Sequence, residues 1–499
     1  MGVDIVDITA KRAALTPNAI AFEDALTGRT LTYAELDDRA ARVAAVLATL
    51  GVAREDRVAI LCRNRIEFFE ILFACGKLGA ILVPLNWRAP ATELASIMAD
   101  CTPRTLVFGQ EDAATAQSLV HADLALLALD DGYDAVLAAA TPMPTDPRWP
   151  GDAVWSLSYT SGTTGDPKGV LYSHRSNILH TMIGLQKDAI GIGAADTTLP
   201  VVPMFHANAW GLAFSGPATG SKLVLPGAKM DGESIYELLD GEKVTFTAAV
   251  PTVWLMLLQY LEQTGKKLPH LKRVVIGGSA VPERILRAFE ENYEVEVVHA
   301  WGMTEMSPLG SLGSMTENVL AQDRDTIVKY KLKQGRPPFG VEMKTINDEG
   351  VLLPRDGKTA GRLVVRGPAV AKAYFKGAGG QILDEHGFFD TGDVANLDEY
   401  GYMQITDRAK DVIKSGGEWI SSIDIENFAV GHPAVANAAA IGLPHPKWDE
   451  RPLLIIEPKE RHRPRVHALA GSHGHIQAVP ERIGEHLDFA LHRSPQYRA

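Results

Sequence analysis

Short runs of β-branched and aliphatic residues alternate with stretches of helical period through residues 30–292, and few folds accept that alternation. Thr32 and Glu35 have the spacing of a helix-starting capping box. Leu36, Ala40, Val43, Leu47 and Leu50 then mark one helical face, and Gly51 closes it. Arg57–Leu61 reads as a strand, residues 67–77 as a helix and Ile81–Leu85 as a strand. Val244–Val250, a helix from Pro251 to Leu261, Arg273–Ile276 and a helix from Pro282 to Asn292 repeat the pattern. Strands joined through helices pair in parallel, with the helices covering both sheet faces. After residue 340 the runs shorten. Turns such as Asp348-Glu349-Gly350 and Asp398-Glu399-Tyr400-Gly401 point to β-rich structure. The expected fold class is α/β: a large N-terminal domain of parallel-rich sheets sandwiched by helices, plus a β-rich subdomain.

The bulk numbers exclude several function classes. The chain has 499 residues, 46% hydrophobic and 22% charged, which is ordinary for a soluble globular protein. Its net charge of -12 lacks the basic footprint of a nucleic-acid binder. The three cysteines, Cys62, Cys75 and Cys101, suggest neither a disulfide framework nor a zinc spacing, so a reducing cytoplasm is expected. No apolar stretch is long enough for a membrane span. The N-terminal residues lack the pattern of a secretion signal, and Val6 stands where a myristoylation motif needs Ser or Thr.

Residues 159–170 read YTSGTTGDPKGV. Three glycines, one serine, three threonines and one lysine suit neither a core strand nor an amphipathic helix. Such a loop offers backbone N–H groups, hydroxyls and an ammonium to one anion, and its glycines allow close approach. A flexible surface loop with a solvated lysine is the plainer reading. The lysine follows a proline, and the loop is expected to lie between a strand and a helix. It is not a Walker A loop, because no Gly-Lys-Ser/Thr ends it.

The loop resembles the phosphate loop of the adenylate-forming enzymes: acyl-CoA synthetases, luciferases and peptide-synthetase adenylation domains. Four further stretches follow in that family's order. They are Gly277-Gly278-Ser279-Ala280-Val281-Pro282, Trp301-Gly302-Met303-Thr304-Glu305, Phe389-Asp390-Thr391-Gly392-Asp393, and residues 406–411 (TDRAKD) running into 414–419 (KSGGEW). The resemblance spans residues 5–459 and is nearest to fatty acyl-CoA synthetases. It implies domains at 1–407 and 408–499, the second small, mobile and α+β. It also implies a two-step reaction with ATP, Mg²⁺ and coenzyme A. A carboxylate attacks the α-phosphate, and a thiol then displaces AMP from the acyl-adenylate.

Site roles follow from the same resemblance. Thr160, Ser161, Gly162, Thr163, Thr164, Gly165 and Lys168 would hold the β- and γ-phosphates. Thr304 would bind the α-phosphate, and Glu305 would take Mg²⁺, a hard cation that prefers oxygen ligands. Gly278, Ser279, Ala280, Trp301 and Gly302 would enclose the adenine. Asp393 would bind the ribose hydroxyls, unless it is only a turn aspartate, and Arg408 the ribose or a phosphate. His206 would border the carboxylate site, although a lone histidine can equally be structural. Trp210 is either plain core or a gate to the acyl tunnel. Val250 and Met303 add apolar wall, and residues 207–213 contain no acid to hold an amine. The substrate is therefore expected to be a hydrophobic small-molecule carboxylic acid: medium- or long-chain fatty, thioether or aryl. Lys414, Gly416, Gly417 and Trp419 would form a tight turn lining the coenzyme A channel, with Asp407 as the hinge. The resemblance also implies a homodimer.

The tail departs from this pattern. The family carries a lysine near its C-terminus that serves adenylation, and no lysine follows Lys459 here. Six of the fifteen histidines fall in residues 460–499. Two readings follow: an acid–CoA ligase, or a protein that binds nucleotide or acyl-AMP with impaired adenylation.

Overall fold

In the computed structural model, residues 7–408 are described apart from 26, 131, 145–149 and 161–166. Beyond them, 413–415, 418–422, 425–426, 429, 435–446, 449–458, 469–470 and 476–477 are described. The chain forms two compact units. The first holds Met1–Lys344, Val364–Asp390 and Asp398–Gln404; the second holds Thr345–Leu363, Thr391–Leu397 and Ile405–Ala499.

The first unit contains two large sheets. In one, the strands run in the order Leu309–Leu312, Glu296–Gly302, Arg273–Ile276, Phe246–Ala249, Thr197–Pro200, Lys222–Leu225, Ile20–Asp24, Thr30–Thr32. In the other the order is Ala125–Ala128, Thr105–Phe108, Arg57–Leu61, Ile81–Pro84, Val154–Tyr159, Gly169–Ser173. Pairing is parallel throughout except at one or both sheet edges, where the chain turns straight back as a hairpin. The α/β expectation holds. The helix Tyr33–Thr49 begins at the Thr32/Glu35 capping box, with both reciprocal hydrogen bonds made. Leu36, Ala40, Val43 and Leu47 are wholly buried on its inner face.

The helix Ile66–Leu78 is apolar nearly all round and buried nearly all round, as such a helix must be. Its ionisable residues survive burial through partners. Glu70 accepts from Arg39 Nε at 2.5 Å and Tyr133 Oη at 2.8 Å. Lys77 reaches Asp7 at 2.7 Å and Asp37 at 2.6 Å.

Two local expectations are corrected. The glycine loop does not lead from a strand into a helix. The chain returns as the antiparallel strand Gly169–Ser173, and only then does the helix His174–Gly184 begin. The helix after Pro282 also changes pitch, from α over Glu283–Arg287 to a wider π turn over Ala288–Asn292.

A further four-stranded sheet runs in the order Glu342–Ile346, Gly361–Arg366, Phe389–Leu397, Met403–Arg408. The β-rich expectation after residue 340 therefore holds. The second unit adds a sheet ordered Glu418–Ile420, Ile413–Ser415, Asp449–Pro458, Val435–His445.

Candidate active site

Parallel strands that end together leave a crevice beyond their carboxyl ends. Here that crevice is a cavity of about 660 Å³ in the first unit. Residues ending or just following five strands line it: Tyr159, Val201, Val250, Gly277 and Met303, with Asn86 at the next. Of the expected site residues, Thr160, His206, Trp210, Val250, Gly278, Trp301, Gly302, Met303 and Thr304 share this one cavity. Ser279 and Ala280 are exposed and do not line it. Ser161, Gly162, Thr163, Thr164, Gly165, Gly416 and Gly417 lie outside the described residues.

The base of the glycine loop is closed by two bonds. Thr160 N–H donates to Lys168 O at 3.0 Å, and Lys168 N–H donates to Thr160 Oγ1 at 3.0 Å. Gly169 follows immediately. A Cβ there would meet Leu157 Cδ1 at 2.7 Å and Phe375 Cβ at 3.0 Å, so glycine is the residue that fits. The exposed Lys168 ammonium lies 5.1 Å from the centre of the Tyr374 ring.

Thr304 and Glu305 occupy a 3₁₀ turn, Thr304–Met306, at the end of the strand Glu296–Gly302. Tyr172 Oη donates to Thr304 O at 2.6 Å, and Tyr374 Oη donates to Glu305 Oε1 at 2.6 Å. Burial and the neighbouring Glu305 charge push the Tyr374 hydroxyl pKa up, so it stays a donor. Glu305 is buried, and among the described residues no cation pairs with it. A buried carboxylate of this kind fits a hard divalent cation, which prefers oxygen ligands. The Trp301 ring packs against Gly310 on the adjoining strand, where a side chain would collide with the ring and with Met306 Sδ at 2.9 Å.

His206 opens an unusual segment. Ala207, Asn208, Ala209 and Trp210 have φ of 44°, 53°, 52° and 55°, and Gly211 follows at 80°. This is a full turn of left-handed backbone, costly for side-chain-bearing residues. It carries the Trp210 ring against the glycine pair, with Cη2 3.3 Å from an added Cβ at Gly277. The His206 ring presents itself to the cavity within a protein surround. Desolvation, aided by the Arg88 charge, pushes its pKa down to about 4, so it is neutral near pH 7.

In the second unit, Asp393 is buried on the strand Phe389–Leu397, and Arg408 Nε bonds its carboxylate at 2.8 Å. Asp407 is buried and accepts from Ser422 N–H at 2.6 Å and Ser422 Oγ at 3.1 Å. Lys414 and Trp419 face each other across paired strands, with Ser415 opposite Glu418 and two residues between. Sequence reasoning missed Tyr172, Tyr374 and Gly310. A lone tyrosine carries no signal of a partner 69 residues away.

Comparison with known proteins gives consistent matches. The AMP-binding enzyme family model matches residues 9–375, and the AMP-binding enzyme C-terminal domain model matches 424–490. The second match continues past Lys459, where the resemblance was expected to stop. A 3-methylmercaptopropionyl-CoA ligase of Ruegeria pomeroyi is 43% identical over 470 residues, covering 90% of this chain and 87% of its own. A long-chain-fatty-acid–CoA ligase of Thermus thermophilus is 40% identical over 468 residues, covering 91% and 83%. The solved o-succinylbenzoate coenzyme A synthetase of Bacillus subtilis, in complex with ATP and magnesium ion, superposes with TM-score 0.81 at 26% identity. That match covers 99% of this chain and 94% of the other.

Proposed function

Because this chain belongs to the AMP-binding enzyme family and is an ATP-dependent acid–CoA ligase, we propose that its acid is hydrophobic and enters the cavity beside His206. The observation that carries this is the lining. Val201, Phe205, Trp210, Val250, Val253 and Leu309 supply apolar wall, and residues 207–213 bring no acid. Arg88 and Glu93 are the charged residues of the lining; away from them, a second carboxylate or an ammonium would be stranded against that wall, at a cost of roughly several kcal/mol. The relatives' named acids, a methylthio-propionate and long-chain fatty acids, are of this apolar class. The relatives are ligases, and the reading as a binding protein with impaired adenylation is not favoured.

The acid's carboxylate oxygen attacks the α-phosphorus of ATP, forming acyl-adenylate and releasing pyrophosphate. The coenzyme A thiol then attacks the acyl carbon, and AMP leaves. In our reading Thr160 to Lys168 cradle the outer phosphates and Thr304 holds the α-phosphate as charge gathers there. Glu305 holds Mg²⁺, which neutralises phosphate charge when bound. Gly278, Ser279, Ala280, Trp301 and Gly302 flank the adenine. Asp393 and Arg408 take the ribose and a phosphate. Neutral His206 borders the carboxylate without adding a positive charge. Residues 408–499 act as the mobile part about Asp407, and Lys414 to Trp419 line the coenzyme A path.

Two broader proposals accompany this. The three cysteines are free and buried, which supports a cytoplasmic setting. Among the described residues no helix is long and apolar enough to cross a membrane. The resemblance supports a homodimer, which sedimentation would test. The acid class is tested by coenzyme A consumption with a panel of acids. Medium-chain, long-chain, thioether and aryl acids bracket the proposal, with malonate and free amino acids as the contrast. Turnover confined to malonate or an amino acid would overturn it.

A further inference from the structure

We propose that Tyr374 is a positioning residue that holds the cation-binding carboxylate Glu305 and the phosphate-loop lysine Lys168 in one register. The proposal rests on the roles given to those two residues above. Tyr374 stands where three segments meet. Its main chain bridges to Val170, two residues after Lys168 on the strand leaving the loop. Its hydroxyl donates to Glu305 Oε1 at 2.6 Å. Its ring lies 5.1 Å from Lys168 Nζ.

The segment before Tyr374 is stitched to the same turn. Ser307 Oγ donates to Ala369 O at 2.8 Å, and Ala371 N–H donates to Glu305 O at 2.7 Å. Glu305 is therefore fixed by its own carbonyl and by one carboxylate oxygen. Among the described residues its other oxygen has no partner and remains for a ligand. A carboxylate with two free oxygens can rotate about its last bond. A donor on one oxygen fixes that angle before any cation arrives, which is how partners around a ligating carboxylate tune an ion site. The ring face gives the Lys168 ammonium an apolar, electron-rich rest near the site of the phosphates.

The two functions of the one side chain separate experimentally. Tyr374→Phe removes the hydroxyl and keeps the ring, whereas Tyr374→Leu removes both. The measurement is equilibrium binding of α,β-methylene-ATP to the full chain by titration calorimetry, with Mg²⁺ and then with EDTA. Wild-type protein should bind tighter with Mg²⁺, and Glu305→Gln should abolish that gain. Tyr374→Phe should cut the Mg²⁺-dependent gain about tenfold and leave EDTA binding unchanged. Tyr374→Leu should in addition weaken EDTA binding severalfold. Equal losses in both buffers for Tyr374→Phe would mean a merely structural role and overturn the proposal. If Glu305→Gln abolishes the gain and Tyr374→Phe keeps it, the Tyr374 proposal fails while the site reading stands. If Glu305→Gln keeps the gain, the assignment of the cation to Glu305 fails, and the proposal with it.

Discussion

Gly302→Ala probes how closely the Thr304–Glu305 turn must be held. Gly302 ends its strand opposite Leu309, and Met303 N–H donates to Pro308 O at 2.9 Å. A Cβ at 302 would fall inside the shell of Pro308 O, 2.9 Å from Pro308 C and 3.3 Å from Leu309 Cα. All three are main-chain atoms, so no side chain can swing aside. Ordinary contact begins near 3.4 Å, so relieving Pro308 C alone needs about 0.5 Å, and its oxygen needs more. The main chain from Met303 to Pro308 must absorb that shift, and this stretch contains Thr304 and Glu305. Reacting constellations tolerate only about 0.5 Å of misplacement, and 1 Å can cost about 100-fold in rate. Overpacking of this size also costs roughly 1–3 kcal/mol of stability.

The assay is ATP–pyrophosphate exchange with an accepted acid, read beside a melting curve. Gly302→Ala should remain folded, melt lower and exchange at least about 100-fold more slowly. Gly241→Ala is the control, because a Cβ at Gly241 has no atom within 4 Å. It should leave exchange unchanged. A Gly302→Ala protein exchanging at the wild-type rate would refute the claim that this hairpin positions the chemistry.

Three other outcomes are expected. Lys168→Met should weaken ATP binding about tenfold without affecting binding of the acid alone, checked by calorimetry. His180 is buried, accepts Leu309 N–H on Nε2 at 3.1 Å, and has its pKa pushed down to about 4 by desolvation. The unfolded chain therefore binds its proton first, so stability is full above pH 6.5 and falls as pH drops from there toward 4. His180→Gln should flatten that fall by about one proton, and an unchanged slope in melting against pH would contradict it. Finally, preformed acyl-AMP and coenzyme A should give thioester, and exchange should be measurable although no lysine follows Lys459. Thioester without exchange would locate a defect in the first step.

Legibility in the sequence followed the range of the interaction. The Thr32/Glu35 cap and the buried face behind it are local, and both read correctly from spacing. Arg273–Ile276 was bounded by its own β-branched run and appears with those bounds. The return strand Gly169–Ser173 was hidden because GVLYS has no feature that distinguishes a hairpin arm from the approach to a helix. Its pairing with Val154–Tyr159 decides the matter, and pairing is not a local property. Among the site residues, those in glycine-rich stretches such as Gly278 and Gly302 were visible, because a missing side chain signals close approach. Tyr374, Tyr172 and Arg88 act through distant partners and left no pattern.

The left-handed turn after His206 shows why such a feature escapes sequence reading and what sustains it. One asparagine and one closing glycine, in residues 206–211 (HANAWG), do not announce four side-chain-bearing residues at positive φ. At about 1–2 kcal/mol each, that conformation would not persist in an isolated chain. Here the surroundings enforce it. Trp210 N–H bonds His206 O at 3.1 Å, and Gly211 N–H bonds Ala207 O at 3.0 Å. Ala209 and Asn208 are wholly buried. Gly211 lies so close to His180 that a Cβ would meet its ring at 2.7 Å. That ring in turn accepts from Leu309, opposite Gly302. The strain thus lies in a wall tied to the hairpin that carries Thr304 and Glu305. It sets the Trp210 ring against Gly277 and Gly278, which links the shape of the proposed acid-facing wall to the geometry of the Thr304–Met306 turn.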